Sequence, residues 1–211
     1  KNIKYKKNTS TFILEYKNKK SKIELIIPGK HNVYNALSAI SICISIGVKI
    51  DYIKKGLKKF NGVRRRFEMK YYNKTKNINF IDDYAHHPSE IESTLESIKS
   101  GWPSKRIIAI FQPHLYSRTK SFYKEFAKSL LKSDINIITD IYPAREAPIK
   151  NVTSNLIIKE LKKLKHKNTC LIKKESISKK INKIILKNDL IITMGAGDIY
   201  KSLDEIYENI K

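Results

Sequence analysis

The chain has little of what would mark an unusual architecture. Its 211 residues include only two cysteines, Cys43 and Cys170, far apart in segments of different kind and with no CxxC partner. Neither a disulfide framework nor a zinc ribbon is indicated, and both thiols are read as free and buried. Long apolar runs are also missing. The longest, LSAISICISIGV from Leu37 to Val48, carries serines and falls short of a membrane span. The N-terminal KNIKYKKNTSTFILEYKNKK lacks the apolar stretch and small-residue cleavage site of a secretory signal. A cytoplasmic location and no membrane partner are therefore expected. No GxxxxGK[ST] phosphate loop and no GxSxG nucleophile elbow occur anywhere. Arginine is scarce as well: six of 43 basic residues, three of them together at Arg64, Arg65 and Arg66.

What the chain does have is charge, a formal +23. Clustered cations suit nucleic acid because they neutralise phosphates and release counterions. Here, however, the lysines are spread along the whole chain among isoleucine and asparagine, and no aromatic-interleaved basic stripe of the RNA-binding kind appears. Solvated lysine faces are the simpler reading, and no nucleic-acid partner is expected. Apolar content of 41% with 30% charged residues describes a globular protein able to bury a sizeable core, as one domain plus a fragment or as two small domains.

Residues 11–17 and 21–29 read as two strands of a hairpin. From His31 the apolar positions Val33, Ala36, Leu37, Ile40 and Ile44 recur at helical spacing up to Gly47. A second helix is expected to follow Asp51 as its N-cap and run to Phe60. After NGVRRRFE the rhythm changes. FEMKYY, INFID, KRIIAIF, INIITDIY, TCLIK and DLIITMG read as strands, separated by amphipathic helices, the first of them starting at Pro88 and the last opening at GDIY. Short apolar runs alternating with helices predict an α/β fold, a mainly parallel sheet built from βαβ units.

In such sheets ligands sit at the carboxyl ends of strands. Applied here, that rule selects DYAHHP after INFID, QPHLYSR after IIAIF, IYPAREAP after INIITD and GAGDI after LIITM. Four of the five histidines, His31, His86, His87 and His114, fall in loops or helix starts, and Arg118 and Arg145 fall in the same strand-end loops. FIDDYAHHPSEI admits three readings. A metal cage needs ligands that adjacent histidines on a turn rarely direct at one ion, and no metal site is assigned. A hydrolase pair lacks its nucleophile. A contact loop for nucleotide or substrate fits the position best. GAGDI, a glycine-rich turn opening a helix, would present free N–H groups to an anion, although a plain tight turn explains Gly195 and Gly197 equally. RRRF offers planar cationic forks for phosphate or carboxylate.

Taken together and in order, PGKHNVYNALSAIS, FNGVRRRFE, FIDDYAHHPSEI, GWPSKRIIAIFQPHLYSRT, DIYPAREAPI and ITMGAGDI resemble the C-terminal part of the Mur ligases of peptidoglycan synthesis. DDYAHHP with QPHLYSRT resembles the branch that joins L-alanine to UDP-N-acetylmuramate. The resemblance implies a Rossmann-like, mainly parallel sheet with helices on both faces over residues 63–211, preceded at 1–62 by the C-terminal remnant of a central ATP-binding domain. It implies ATP as cosubstrate and magnesium held mainly by parts this chain does not contain. By the same likeness the reaction is amide formation through an acyl phosphate, and the chain by itself is expected to show no turnover.

Residue by residue, the resemblance assigns His31, Asn32 and Asn35 to adenine, Arg66 and Arg65 to the nucleotide, and Asp83 to ribose. Tyr84, His86 and His87 would face the muramoyl and alanine side, with the two histidines as candidate catalytic groups. His114 and Arg118 would receive the alanine carboxylate. Leu115 stands where the family usually has arginine and Arg145 where it commonly has glycine, which implies weaker amino-acid binding. Two rival readings remain, a stand-alone nucleotide- or nucleic-acid-binding module and a truncated product with a structural role.

Overall fold

The computed structural model describes residues 2–7 and 9–210 and divides into two compact units, Lys1–Val63 with Glu96–Ser104, and Arg64–Leu95 with Lys105–Lys211. In the first unit, strands β1 (Lys4–Lys6), β2 (Thr9–Tyr16) and β3 (Lys19–Leu25) form an antiparallel sheet. Lys17 and Asn18 connect β2 to β3, both with positive φ (46° and 59°), the geometry of a two-residue hairpin turn whose twist matches its strands. Helices α1 (Lys30–Ser45) and α2 (Ile50–Lys59) complete the unit. Val33, Ala36 and Ile40 lie on one face of α1 and join Phe12, Ile23, Leu25 and Ile53 in a single core.

Gly47 (φ 86°) ends α1 as the periodicity predicts: its N–H bonds Ile44 O and the Val48 N–H bonds Cys43 O, a Schellman closure that a side chain at Gly47 would strain. Two local expectations change. Asp51 is not the N-cap of α2; Lys49 holds that position, and Asp51 sits in the first turn, where its charge complements the helix dipole. The short strand β1 was not anticipated, because three residues carry too little pattern.

The second unit is a six-stranded sheet ordered β4-β5-β9-β6-β7-β8, formed by Glu68–Asn73, Ile78–Asp83, Asp189–Met194, Arg106–Phe111, Ile135–Ile138 and Thr169–Leu171 in that spatial order. Only β4 runs antiparallel to its neighbour; every other pairing is parallel. β5 and β9 are buried along their whole length, which is why INFIDD and DLIITM read as near-continuous runs and not as alternation. The connections carry α3 (Pro88–Gly101), α4 (Tyr116–Leu130), α5 (Asn155–Lys163), α6 (Ile177–Ile184) and α7 (Lys201–Glu208). Ile177, Ile181, Leu203 and Ile206 pack on Ile78, Phe80, Ile108 and Ile191 in one core.

Register places the strand ends level. Asp83 and Phe111 both pair with Met194, Phe111 pairs with Ile138, and Ile138 with Leu171. The loops that follow therefore start from one edge. At the opposite edge Arg106 forks onto the buried Asp189, Nε to Oδ1 at 2.9 Å and Nη2 to Oδ2 at 2.7 Å, tying the starts of β6 and β9. Two boundaries differ from expectation. β7 stops at Ile138, well short of Tyr142, and α7 opens at Lys201, so GAGDI forms a turn ahead of the helix and does not itself begin it.

Candidate active site

The turn after β5 separates its two carboxylates by function. Asp82 is 1% exposed; it accepts a hydrogen bond from Thr193 Oγ1 at 2.7 Å and from Arg65 Nε at 3.1 Å. Burial raises its carboxyl above the usual range, with Thr193 and Arg65 opposing. Asp83 is 5% exposed, and both oxygens are engaged inside the turn, Oδ1 by the Ala85 N–H (2.9 Å) and Oδ2 by Thr94 Oγ1 (2.8 Å). Burial pushes its carboxyl up to about 6, against those two bonds and Arg66. Both oxygens are thus engaged inside the turn, where they hold the Tyr84–His87 segment in shape.

The arginine triplet divides as well. The Arg65 guanidinium donates to Asp82 and, through Nη2, to Gly195 O at 2.8 Å, and it lies over the Tyr84 and Tyr200 rings at 4.8 and 4.3 Å. These bonds form an internal latch between the ends of β5 and β9. Arg66 is half-exposed and paired at its rim with Glu90 (3.3 Å), and Arg64 is exposed.

The adjacent histidines turn apart. His86 Nδ1 lies 2.9 Å from Tyr84 O and 3.4 Å from Glu90 Oε2, both of which only accept, so this nitrogen carries a proton and Nε2 is the one that holds the lone pair in the neutral form of the ring. His87 packs on Phe122 with ring centroids 5.0 Å apart, and its Nδ1 meets Ser89 Oγ at 2.9 Å. It immediately precedes α3, whose first residue is Pro88, while the Glu90 carboxylate accepts the His86 and His87 N–H groups in half of a capping box. Of the two, His86 neighbours the cluster described next, and His87 packs on Phe122.

That cluster lies beyond β6. The His114 ring stands 6.2 Å from His86 and stacks on Tyr142 at 5.6 Å with planes 12° apart. Arg118 Nη1 approaches His114 Nδ1 at 3.2 Å. A guanidinium only donates, so Nδ1 accepts and the neutral ring carries its proton on Nε2. Burial first, then Arg118 and His86, hold His114 below the ordinary histidine range, with Glu146 opposing. Leu115, where arginine was expected from the resemblance, adopts φ 74° and ψ 138° as it enters α4, a conformation costly for a side chain. Glu146 caps that helix, accepting from the Ser117 N–H at 2.9 Å and from its hydroxyl. Arg145 beside it is exposed.

The β9 turn closes the cluster. Gln112 accepts the Ile199 N–H at 3.2 Å and donates to Asp198 at 3.1 Å, and Lys174 reaches the same carboxylate at 2.5 Å. Gly197 is required by closeness: a Cβ there would lie 2.7 Å from the Tyr142 ring. The turn's Ile199 N–H is satisfied internally, which removes it from the anion site that GAGDI suggested. Among the described residues no group of three or more His, Cys, Asp or Glu side chains is arranged to hold a metal ion. Nor is any helix among them long and apolar enough to cross a membrane.

In the first unit His31 and Asn32 are partly exposed and Asn35 is exposed on α1, with Asn32 Nδ2 donating to Pro28 O at 2.6 Å. Sequence reasoning missed Glu90, Tyr142, Glu146 and the Gln112–Asp198–Lys174 network. Glu90 was detectable as the third helical residue after His87. The others depend on which loops become neighbours.

The family profile described as Mur ligase, glutamate ligase domain, matches residues 65–197, and that of the Mur ligase middle domain matches residues 1–43. The chain belongs to the Mur ligase family. Among similar curated proteins are the UDP-N-acetylmuramate–L-alanine ligases of Salinibacter ruber, 40% identical over 88% of this chain, and of Persephonella marina, 43% identical over 90%. The chain spans 39% and 41% of their respective lengths. The crystal structure of the UDP-N-acetylmuramate–alanine ligase of Thermotoga maritima superposes with a TM-score of 0.84 at 30% identity, over 99% of this chain and 44% of that one. A MurF ligase from Thermotoga maritima in complex with ADP superposes at 0.70 over 99% of this chain and 45% of its own, and at 17% identity it speaks for the Mur ligase fold alone.

Proposed function

We propose that this chain carries the amino-acid side of an ATP-dependent ligase that joins L-alanine to UDP-N-acetylmuramate in cytoplasmic peptidoglycan precursor synthesis. The supporting observation is the convergence of His86, His114 and Arg118 at the level ends of β5 and β6. Arg118 keeps donors beyond the one spent on His114, and a planar fork suits the alanine carboxylate. Neutral His114 offers an Nε2–H to the same anion, and the His86 Nε2 lone pair is placed to accept a proton from the amine, with Glu90 behind its Nδ1 as orienter. Tyr84 and His87 keep supporting places, under Arg65 and at the α3 start. ATP, when bound, supplies the phosphoryl group that activates the acid; on the first unit His31, Asn32 and Asn35 have the polar groups suited to adenine, on the second Arg66 is a cation suited to phosphate, and no GxxxxGK[ST] loop occurs in this sequence.

Phosphate release by the full-length gene product, with ATP, UDP-N-acetylmuramate and each of glycine, alanine and serine, tests the reading. Turnover requiring the sugar nucleotide and fastest with alanine is expected, with none from the 211-residue chain alone. Amide formation by the isolated chain, or salt-sensitive RNA binding without any response to ATP, would overturn it.

A further inference from the structure

We propose that Tyr142 is a positioning residue of the site, holding the plane of the His114 imidazole by flat contact while Arg118 fixes which nitrogen faces α4. The proposal rests on the reading above in giving His114 a substrate-facing role; the packing itself stands without it. Two contacts bracket the Tyr142 ring. On one side it stacks with His114, centroids 5.6 Å apart and planes within 12°, an offset arrangement in the favourable range for aromatic pairs. Against Gly197 it lies so close that no side chain fits there.

The backbone holds the partners in register. Tyr142 N–H bonds Pro113 O at 2.8 Å, Leu115 N–H bonds Tyr142 O at 3.0 Å, and His114 and Tyr142 form a parallel bridge just past the ends of β6 and β7. Gln112 and Asp198, with Lys174, hold the turn that carries Gly197. The ring is thus held in contact with both His114 and the Gly197 turn.

Each restraint on His114 is incomplete without the other. The Arg118 bond selects Nδ1 as acceptor but tolerates tilting of the ring; the flat contact sets the plane but is indifferent to which nitrogen points where. Together they aim the Nε2–H. Around this imidazole the charged and titratable groups are Arg118 on α4, His86 after β5 and Glu146 after β7. Stripping the phenol ring away admits water to the His114 face and relaxes the burial that favours its neutral form.

NMR on the 211-residue chain decides the matter first. Cross-relaxation between His114 and Tyr142 ring protons is expected in the wild type, and its absence would overturn the proposal with no variant needed. Tyr142→Phe should keep the His114 ring-current shift and titration midpoint, whereas Tyr142→Leu should lose the shift and move the midpoint up toward roughly 6.5. Equal midpoints in the two variants would refute it. In the full-length gene product Tyr142→Leu should raise the L-alanine KM by about fivefold or more, a factor worth about 1 kcal/mol, with the ATP KM unchanged and Tyr142→Phe near wild type. An unchanged alanine KM in Tyr142→Leu would contradict the positioning role. Complete absence of alanine-dependent turnover in the wild type would instead strike the proposed ligase reaction, and the NMR result would still judge Tyr142.

Discussion

Replacing Arg65 by alanine should lower stability by about 3 kcal/mol, while the same change at Arg64 should cost less than about 0.5 kcal/mol and at Arg66 less than about 1 kcal/mol. Three identical residues in a row give three outcomes because their surroundings differ. Arg65 is the cation beside Asp82, which is 1% exposed, and it also bonds Gly195 O and lies between two tyrosines. Removing it strands a buried carboxylate. Two effects keep the loss below the upper end for a buried pair: the guanidinium is itself 22% exposed, and Asp82, already raised by burial, can protonate. Arg65→Lys should recover less than half of the loss, since an ammonium cannot make both hydrogen bonds as a fork or stack as a plane. Urea unfolding of the four proteins measures the series; equal losses at Arg65 and Arg66 would remove the latch.

The second large effect is a pH dependence. Asp83 has a folded carboxyl pKa of about 6, raised from 3.8. Below pH 3.8 the group is protonated in folded and unfolded chains alike and contributes its full stability. As pH rises, the unfolded chain releases the proton first and the folded state is progressively disfavoured, until the loss levels off above pH 6. A difference of 6 minus 3.8 corresponds to about 3 kcal/mol. Asp83→Asn removes this titration while its carbonyl can still accept the Ala85 N–H. The unfolding free energy of Asp83→Asn relative to wild type should therefore rise by about 2.4 kcal/mol between pH 4 and pH 7, the remainder of the loss falling below pH 4. A flat difference, or one that falls with pH, would contradict the burial argument. A carboxyl that titrates near 6 beneath Tyr84 and His86 also gives the turn a charge that changes close to neutrality.

The strand-and-helix alternation from Glu68 onward was legible chiefly through β5, β6, β7 and β9, short apolar runs of the kind that burial on both faces demands. The rule placing ligands at the carboxyl ends of parallel strands selected loops in which His86, His114 and Arg118 become neighbours. The partners those loops acquire were not legible. Thr94 on α3, eleven residues on, engages Asp83; Phe122 on α4 supplies the surface on which His87 packs; and Asp82 and Gly195 take up Arg65 while its neighbour Arg66 meets Glu90. Tyr142 and Glu146 carry no local pattern at all, since their roles exist only once the loops after β6 and β7 become neighbours.

Steady-state kinetics of Arg118→Ala in the full-length gene product bear most directly on the gathering of these loops into one amino-acid site. Loss of a guanidinium–carboxylate contact should raise the L-alanine KM by about 10- to 100-fold and leave the KM values for ATP and UDP-N-acetylmuramate within about twofold of wild type, a difference of less than about 0.5 kcal/mol. An unchanged alanine KM, or equal increases for all three substrates, would contradict the account.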